Sequence, residues 1–270
     1  MSVPLAIAGP AALAGAAWLS AKTQLPYDWT LIKGLGGAHI QVAIKEKRDR
    51  INLFYVLEQH ATTKSTANHP YLMYEGKSWT YREVYDMVLK YGTWLKKECA
   101  IAPQEVIAMD FMNCPSFIFL WFGLWSIGAV PAFINYNLTG DPLLHSVKTS
   151  TARILFVDDE VQKQITPEVA GTLASPKARG GKRPVQVVYF NPALEQQILA
   201  MDSVREPDES RTVLRLDLAL LIFTSGTTGL PKAGFVSWQK VLLLTGYVPR
   251  WLGLKKTDRY YTVSIQHSQF

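Results

Sequence analysis

The sequence predicts an α/β protein with a mostly parallel sheet and helices on both faces of that sheet. Short apolar runs of four to seven residues, typical of buried strands, alternate along the chain with longer segments in which apolar residues recur at helical spacing. Strands that alternate with helices indicate a parallel sheet, because parallel neighbours need a crossover connection. Such sheets bind ligands beyond the carboxyl ends of their strands, so the segments that follow the strands are the first candidates for a site.

The clearest single element is a helix predicted over residues 80–98. Thr80 and Glu83 match a capping box, and the apolar residues after them recur every 3.6 residues, as on one face of a helix. A second helix follows shortly afterwards, because Asn113 offers a cap and Pro115 a preset first turn.

The remaining elements continue this alternation. Strands are predicted at residues 105–111, 129–134, 153–157, 185–190 and 218–223. Helices are predicted over residues 116–127, 141–149 and 160–170, with a last helix that Ser237 caps and that runs through 241–244. Residues 175–184 contain four basic residues and two glycines and are predicted as a solvated loop.

The first 22 residues differ in kind from the rest. Val3 to Ala21 carries no charge, and as a helix it would span about 28 Å at about 1.5 Å per residue, enough to reach across a hydrocarbon core. Residues 1–22 are therefore predicted as an uncleaved membrane anchor. A cleaved signal peptide is the alternative, but no basic residue precedes the apolar run. Basic residues follow it, so the positive-inside rule predicts a cytosolic location for the rest of the chain.

Residues 23–51 are predicted as a juxtamembrane segment in the headgroup region, because Trp29 and aliphatic residues are mixed there with lysines. A helix packed on the globular domain is the alternative for this segment. Residues 52–270 are predicted to form that domain. No internal repeat or low-complexity tract interrupts it.

Composition excludes several classes of protein. The chain has 270 residues, 48% hydrophobic and 19% charged, which is typical of a globular protein. The net charge of +6 is spread over scattered basic residues without a basic stripe and interleaved aromatics, so no nucleic-acid partner is predicted. The two cysteines, Cys99 and Cys114, lie in apolar patterns, so no disulfide framework is predicted. This cysteine usage is compatible with a reducing compartment.

The segment that carries chemistry follows the predicted strand at residues 218–223. Gly226 and Gly229 permit backbone conformations that turn successive N–H groups inward, which forms a nest for anionic oxygens. Pro231 restricts the exit of the loop, and Lys232 adds a compact cation. Hydroxyl donors come from Thr224, Ser225, Thr227 and Thr228. The loop is therefore predicted to bind a triphosphate.

Two other interpretations of this loop are disfavoured. A Walker A loop requires Gly-Lys-Ser/Thr after four intervening residues, whereas here Pro231 and Ala233 occupy the decisive positions. A flexible linker would lack the apolar strand before the loop and the apolar helix after it.

The run from Thr224 to Lys232 resembles the phosphate loop of the adenylate-forming superfamily, Thr-Ser-Gly-Thr-Thr-Gly-x-Pro-Lys, at every specified position. Upstream segments are similar to the fatty acid transport protein group of very-long-chain acyl-CoA synthetases, which also begins with a membrane anchor. The resemblance runs from about Asn52 to Asp258. Its segments are Trp79–Glu83, Ala108–Phe117, Leu120–Leu124, Gly128-Ala129, Asn135–Leu138 and Leu144-His145.

The resemblance implies the N-terminal portion of the adenylate-forming fold and a two-step reaction. A fatty acid attacks the α-phosphate of ATP, with Mg²⁺, to give an acyl-adenylate, and the thiol of CoA then displaces AMP. By resemblance, the residues that contact the ATP phosphates are Thr224, Ser225, Gly226, Thr227, Thr228, Gly229 and Lys232. His267 is a candidate for the acyl and adenylate pocket, although Ser264–Ser268 lacks the Pro and the aromatic residue of the family pattern. No catalytic residue and no metal ligand is assigned.

The family's remaining parts do not occur before Phe270: an aromatic-Gly-x-Thr-Glu segment, a ribose-binding Asp, a hinge and a small C-terminal domain with a Lys. We therefore expect an incomplete AMP-binding domain without the C-terminal domain, inactive alone. The expected partners are fatty acid, ATP, CoA and a lipid membrane; endoplasmic reticulum, peroxisome, lipid droplet and plasma membrane stay open, as do chain-length preference and oligomeric state. The alternatives are a non-catalytic membrane-anchored fragment that binds lipid or nucleotide, and another adenylate-forming enzyme.

Overall fold

The computed structural model describes residues 5–23, 25–175, 184–224, 229–255 and 257–261. Within these residues the helices are α1 (Leu5–Thr23), α2 (Leu25–Lys47), α3 (Phe54–Thr62), α4 (Tyr81–Lys97), α5 (Pro115–Ser126), α6 (Gly140–Ser150), α7 (Pro167–Ala174), α8 (Pro192–Leu199) and α9 (Trp238–Trp251). The strands are β1 (Pro70–Tyr74), β2 (Lys77–Thr80), β3 (Val106–Asp110), β4 (Val130–Ile134), β5 (Ile154–Asp158), β6 (Gln186–Phe190), β7 (Leu218–Thr224) and β8 (Lys232–Ser237).

The chain divides into two compact units. The larger contains Glu46–Trp238 and therefore every strand of the described chain. The smaller contains Met1–Lys45 and Gln239–Arg259, to which α1, most of α2 and nearly all of α9 belong.

The main sheet, counted over the described residues, has six strands in the order β6-β5-β3-β4-β7-β8. The first five are parallel, and β8 alone pairs antiparallel, with β7. A separate antiparallel hairpin joins β1 to β2. The predicted mostly parallel α/β sheet is confirmed.

Helices cover both faces of this sheet, and the strand side chains alternate accordingly. On β5, Leu155 and Val157 join an apolar cluster that includes Leu143 and Val147 of α6 and Val169 of α7. Phe156, between them, points to the other face and packs on Trp94 of α4 with ring centroids 5.4 Å apart. Because both faces are buried, β5 reads as a continuous apolar run, as expected for a central parallel strand.

The helix predicted over residues 80–98 is confirmed together with its cap. The backbone N–H of Thr80 donates to the Glu83 carboxylate at 2.7 Å, and the Glu83 N–H donates to the Thr80 hydroxyl at 3.3 Å. The first turn of α5 differs from the prediction, because Cys114 rather than Asn113 is its N-cap and makes no side-chain cap hydrogen bond. Pro115 does occupy the first turn.

The helix predicted over residues 160–170 is wrong. A 3₁₀ turn spans Asp159–Gln164, and α7 starts anew at Pro167. Proline lacks an N–H and disfavours helical backbone in the residue before it, so it begins a helix rather than continuing one. Thr166 caps α7 by accepting a hydrogen bond from the Val169 N–H at 3.3 Å. The solvated loop predicted at 175–184 lies almost entirely outside the described residues.

In the smaller unit, α2 packs on α9 through small residues. A Cβ atom on Gly34 would come within 2.9 Å of the Tyr247 ring, and Gly246 lies against the fully buried Ala38. Residues 5–23 form a helix as predicted. No helix of the described chain is both long and apolar enough to cross a membrane, so the transmembrane anchor predicted over residues 1–22 is not supported.

Candidate functional site

The predicted phosphate loop connects β7 to β8. Thr224 is the last residue of β7, Lys232 is the first residue of β8, and the two are paired in register across the ladder. Both side chains are exposed. β7 and β8 are therefore the two strands of a β-hairpin whose open end lies at the carboxyl end of β7. The helix predicted after Ser237 is present as α9, whereas the strand β8 between the loop and that helix was not predicted.

Gly229 takes a backbone conformation that favours glycine. Its φ angle is +86°, and a Cβ atom at this position would meet nothing within 4 Å. The requirement for glycine is therefore conformational, since L-residues rarely adopt such angles. Ser225, Gly226, Thr227 and Thr228 lie outside the described residues, and so does His267. Of the predicted phosphate contacts, the structure thus places Thr224, Gly229 and Lys232.

The strands of the hairpin are held on one side by the core. Phe223, next to Thr224, belongs to the apolar cluster under α6 and α7, and Ala233 of β8 packs against the same cluster. Gly234 lies close to Ile222 on the paired strand, where a Cβ atom would come within 3.2 Å of its side chain. This packing presents Thr224 and Lys232 at the mouth of the hairpin. Lys232 forms no salt bridge with any described residue.

The neighbouring strand β4 ends in a turn at the same edge of the sheet. The Asn135 side chain accepts a hydrogen bond from the Asn137 N–H at 2.9 Å, and its backbone carbonyl accepts one from the Leu138 N–H at 2.9 Å. Asn135 is therefore a turn residue, as its residue type predicts.

The carboxyl end of β3 carries an acid that sequence reasoning missed. Asp110 is fully buried, and neither carboxylate oxygen has a hydrogen-bond partner among the described residues. It pairs with Ile134 on β4 and Val157 on β5, both members of the apolar cluster. Burial, and secondarily the charge of Asp158, raises the pKa of Asp110 to about 7. The sequence marks residues 105–111 as a buried strand but does not show that the acid near its end is enclosed.

Asp158 at the end of β5 has a local structural role. One carboxylate oxygen accepts from the Met112 N–H at 3.1 Å, and the other accepts from the Glu160 N–H at 3.3 Å and caps the 3₁₀ turn. The Cys114 thiol also faces it, with Sγ 3.7 Å from the carboxylate. Burial raises the pKa of Asp158 above its ordinary value, against the lowering effect of these hydrogen bonds.

A groove of about 810 Å³ lies between α6 and α7 and reaches the phosphate loop. Leu230 of the loop lines it, together with His145 and Lys148 of α6 and Glu168 of α7. The His145 ring lies 3.5 Å from the Thr149 hydroxyl one turn along α6. Among the described residues no group of three or more His, Cys, Asp or Glu side chains could hold a metal ion.

The AMP-binding enzyme family matches residues 57–267, a range that contains the whole main sheet and the hairpin. The chain belongs to the AMP-binding enzyme family. Within this family, its curated relatives include the very-long-chain and long-chain fatty acid transport proteins, which confirms the resemblance drawn from the upstream segments.

Two fungal relatives illustrate the extent of this similarity. A very long-chain fatty acid transport protein of Cochliobolus heterostrophus is 32% identical over 267 residues, which are 97% of this chain and 40% of the relative. The protein of the same name in Saccharomyces cerevisiae is 35% identical over 167 residues, 61% of this chain and 24% of the relative. The chain therefore spans 40% or less of the length of these two relatives.

A solved member of the fold supports the architecture. An anthranilate CoA ligase in complex with anthranoyl-AMP superimposes with a TM-score of 0.56 at 21% identity. The match covers 70% of this chain and 34% of that one. At this level of identity the comparison establishes the AMP-binding fold of the chain.

Proposed function

We propose that this chain forms the ATP-phosphate-binding part of a long- or very-long-chain fatty acid:CoA ligase. The reaction converts fatty acid, ATP and CoA to acyl-CoA, AMP and pyrophosphate through an acyl-adenylate. The observation that carries the proposal is the hairpin mouth, where Thr224 and Lys232 lie opposite each other beside the left-handed Gly229. Family membership and the names of the fungal relatives support the fatty-acid substrate. Residues 52–270 belong to the AMP-binding domain in this proposal.

The hairpin suits a polyphosphate for electrostatic reasons. Lys232 is an exposed ammonium without an ion pair in the described chain, so its charge is available to a ligand. The Thr224 hydroxyl, also exposed, is a rotatable hydrogen-bond donor for a phosphate oxygen. Charge-assisted contacts of this kind are about twice as strong as neutral hydrogen bonds.

In the first step a carboxylate oxygen forms a bond to the α-phosphorus and the bond to the β-phosphate oxygen breaks, which releases pyrophosphate. Negative charge then accumulates on the β- and γ-phosphates. In this proposal Lys232 stabilises that charge, and stabilisation of developing charge is the main source of phosphoryl-transfer catalysis. In the second step the thiol sulfur of CoA attacks the acyl carbon and AMP departs.

The Mg²⁺ that accompanies ATP in this reaction has no assigned protein ligand. Among the described residues no group of three or more His, Cys, Asp or Glu side chains could hold a metal ion, and no ligand is assigned from them. No step of the proposal therefore depends on a metal ligand in this chain.

The test is an assay of AMP formation that depends on oleate and CoA, in the longest form of the protein that carries this chain. Lys232→Ala should lower the rate about 100-fold, the usual scale for removing one group that stabilises transition-state charge. Lys163→Ala, an exposed lysine on the 3₁₀ turn, is the matched control and should retain the parent rate. If the parent protein adenylates anthranilate but no fatty acid, the proposed fatty-acid substrate is wrong. If the parent, Lys232→Ala and Lys163→Ala proteins all react at the same rate, the proposed role of the hairpin is wrong.

A further inference from the structure

The base of the phosphate-loop hairpin is irregular at Ala219. Leu218 of β7 pairs with Ser237 of β8, and Leu220 pairs with Val236, so Ala219 has no partner of its own across the ladder. Such an extra residue is a β-bulge, which bends a strand and increases its twist. Because β7 runs from this point to Thr224, the bulge sets the direction in which the hairpin carries its loop.

Trp125 of α5 supplies the hydrogen bond that the bulge needs. Ala219 is fully buried, and its carbonyl accepts a hydrogen bond from the Trp125 indole N–H at 2.9 Å. A buried carbonyl without a partner is costly, so this bond stabilises the bulged conformation against a regular one. The donor lies 94 positions away in the chain.

The same indole also contacts the residue that directly follows the other strand of the hairpin. Its ring lies 5.0 Å from that of Trp238, the residue directly after β8, and both tryptophans are buried. The Trp238 backbone N–H donates to the Asp217 carbonyl at 3.1 Å, which closes the base of the hairpin. Trp125 thus contacts β7 near its beginning and the residue directly after β8.

Trp125 is itself fixed from behind. Its backbone carbonyl accepts a hydrogen bond from the Asn52 side-chain amide at 2.9 Å, and the Asn52 side-chain oxygen accepts from the Phe54 N–H at 2.9 Å. Asn52 is buried as well. The bulge is therefore bonded to α5, and α5 to the start of α3, through groups with little freedom to move.

We propose that Trp125 is a positioning residue for ATP: it holds the Ala219 bulge and so aims the hairpin whose mouth carries Thr224 and Lys232. This inference rests on the proposed function. Ala219, to which Trp125 is bonded, precedes Thr224 by about 17 Å along β7 at about 3.3 Å per residue, so Trp125 acts on the ligand only through the hairpin.

The chain offers a closely matched control. Trp121 is on the same helix one turn earlier and contacts Trp125 with ring centroids 5.0 Å apart. Its indole N–H has no hydrogen-bond partner in the described structure. Trp125→Phe and Trp121→Phe therefore make the same truncation in one aromatic cluster, and only the first removes a hydrogen bond to the hairpin.

The experiment measures amide hydrogen exchange and MgATP affinity for the wild-type chain and both variants, well below their melting temperatures. Trp125→Phe should raise exchange at the amides of β7 and β8 about tenfold, with β3 and β5 unchanged, and should weaken MgATP binding about tenfold. Trp121→Phe should alter both by less than about twofold. A merely structural role for Trp125 would raise exchange throughout the sheet and leave MgATP affinity unchanged.

The outcomes separate this inference from the function on which it rests. A wild-type chain that binds MgATP, with a Trp125→Phe variant that binds it equally well, overturns the positioning role alone. A wild-type chain that binds no MgATP overturns the proposed function and the positioning role with it.

Discussion

We expect Asp110 to make the stability of the larger unit depend on pH, because its carboxyl group is buried without a hydrogen-bond partner among the described residues. The perturbation is Asp110→Asn, which keeps the size of the side chain and removes its ability to ionise. The pKa of Asp110 is raised from 3.8 to about 7 by burial in the apolar cluster. At about 1.4 kcal/mol per pKa unit, the native fold favours the neutral carboxyl over the ionised one by roughly 4 kcal/mol more than the unfolded chain does.

The sign follows from proton binding. Between pH 3.8 and about 7 the native chain keeps the proton on Asp110 while the unfolded chain loses it, so the native state binds more protons there. Stability therefore falls as pH rises through this window, and the full destabilisation is present above pH 7. An asparagine side chain does not ionise, so residue 110 adds no pH dependence to the stability of the Asp110→Asn variant. The free energy of unfolding of Asp110→Asn minus that of the wild type should therefore increase by roughly 4 kcal/mol from pH 4 to pH 8.

The assay is urea unfolding followed by circular dichroism at pH 4, 5, 6, 7 and 8. Asp202→Asn, at an exposed acid, is the matched control and should track the wild type at every pH. A difference between Asp110→Asn and wild type that stays constant across this range would refute the reasoning. It would mean that Asp110 is either solvated or partnered in solution.

Two further substitutions test the packing and the caps. Gly128→Ala should lower the free energy of unfolding by about 2–5 kcal/mol, because Gly128 has φ +78° and a Cβ atom there would lie 1.8 Å from the Ser210 carbonyl oxygen. Gly171→Ala, in open space on α7, is the control and should instead stabilise the protein by about 0.5–1 kcal/mol. The urea midpoints of the two variants measure this difference. Thr80→Ala removes the capping-box partner of Glu83 and should cost about 1 kcal/mol, visible as a lower melting temperature; an unchanged one would show that the box is dispensable.

Sequence patterns predicted those parts of the fold that depend on neighbours in the chain. The capping box at Thr80 and Glu83 involves residues three apart, and the buried strands are marked by continuous apolar runs. The same local information failed at Pro167, where the apolar spacing continued across a break in the helix. It also missed β8, since this short strand with Gly234 lacks a marked apolar alternation and is recognisable only by its pairing with β7.

Sequence patterns indicated the residue types of the candidate site but not the long-range contacts that hold the hairpin in place. Thr224, Gly229 and Lys232 belong to one contiguous motif, so composition and spacing sufficed to single them out. The bond between Trp125 and Ala219 joins positions 94 apart, and nothing local distinguishes Trp125 from Trp121. Asp110 was likewise missed, because the sequence does not specify which strand end the apolar cluster surrounds.

The central claim is that the β7–β8 hairpin binds the phosphates of ATP, and equilibrium dialysis of this chain against labelled MgATP tests it most directly. The account predicts saturable binding to one site, weakened at least about tenfold by Lys232→Ala and unchanged by Lys163→Ala. Absence of saturable binding, or equal affinity in the wild type and Lys232→Ala, would contradict it.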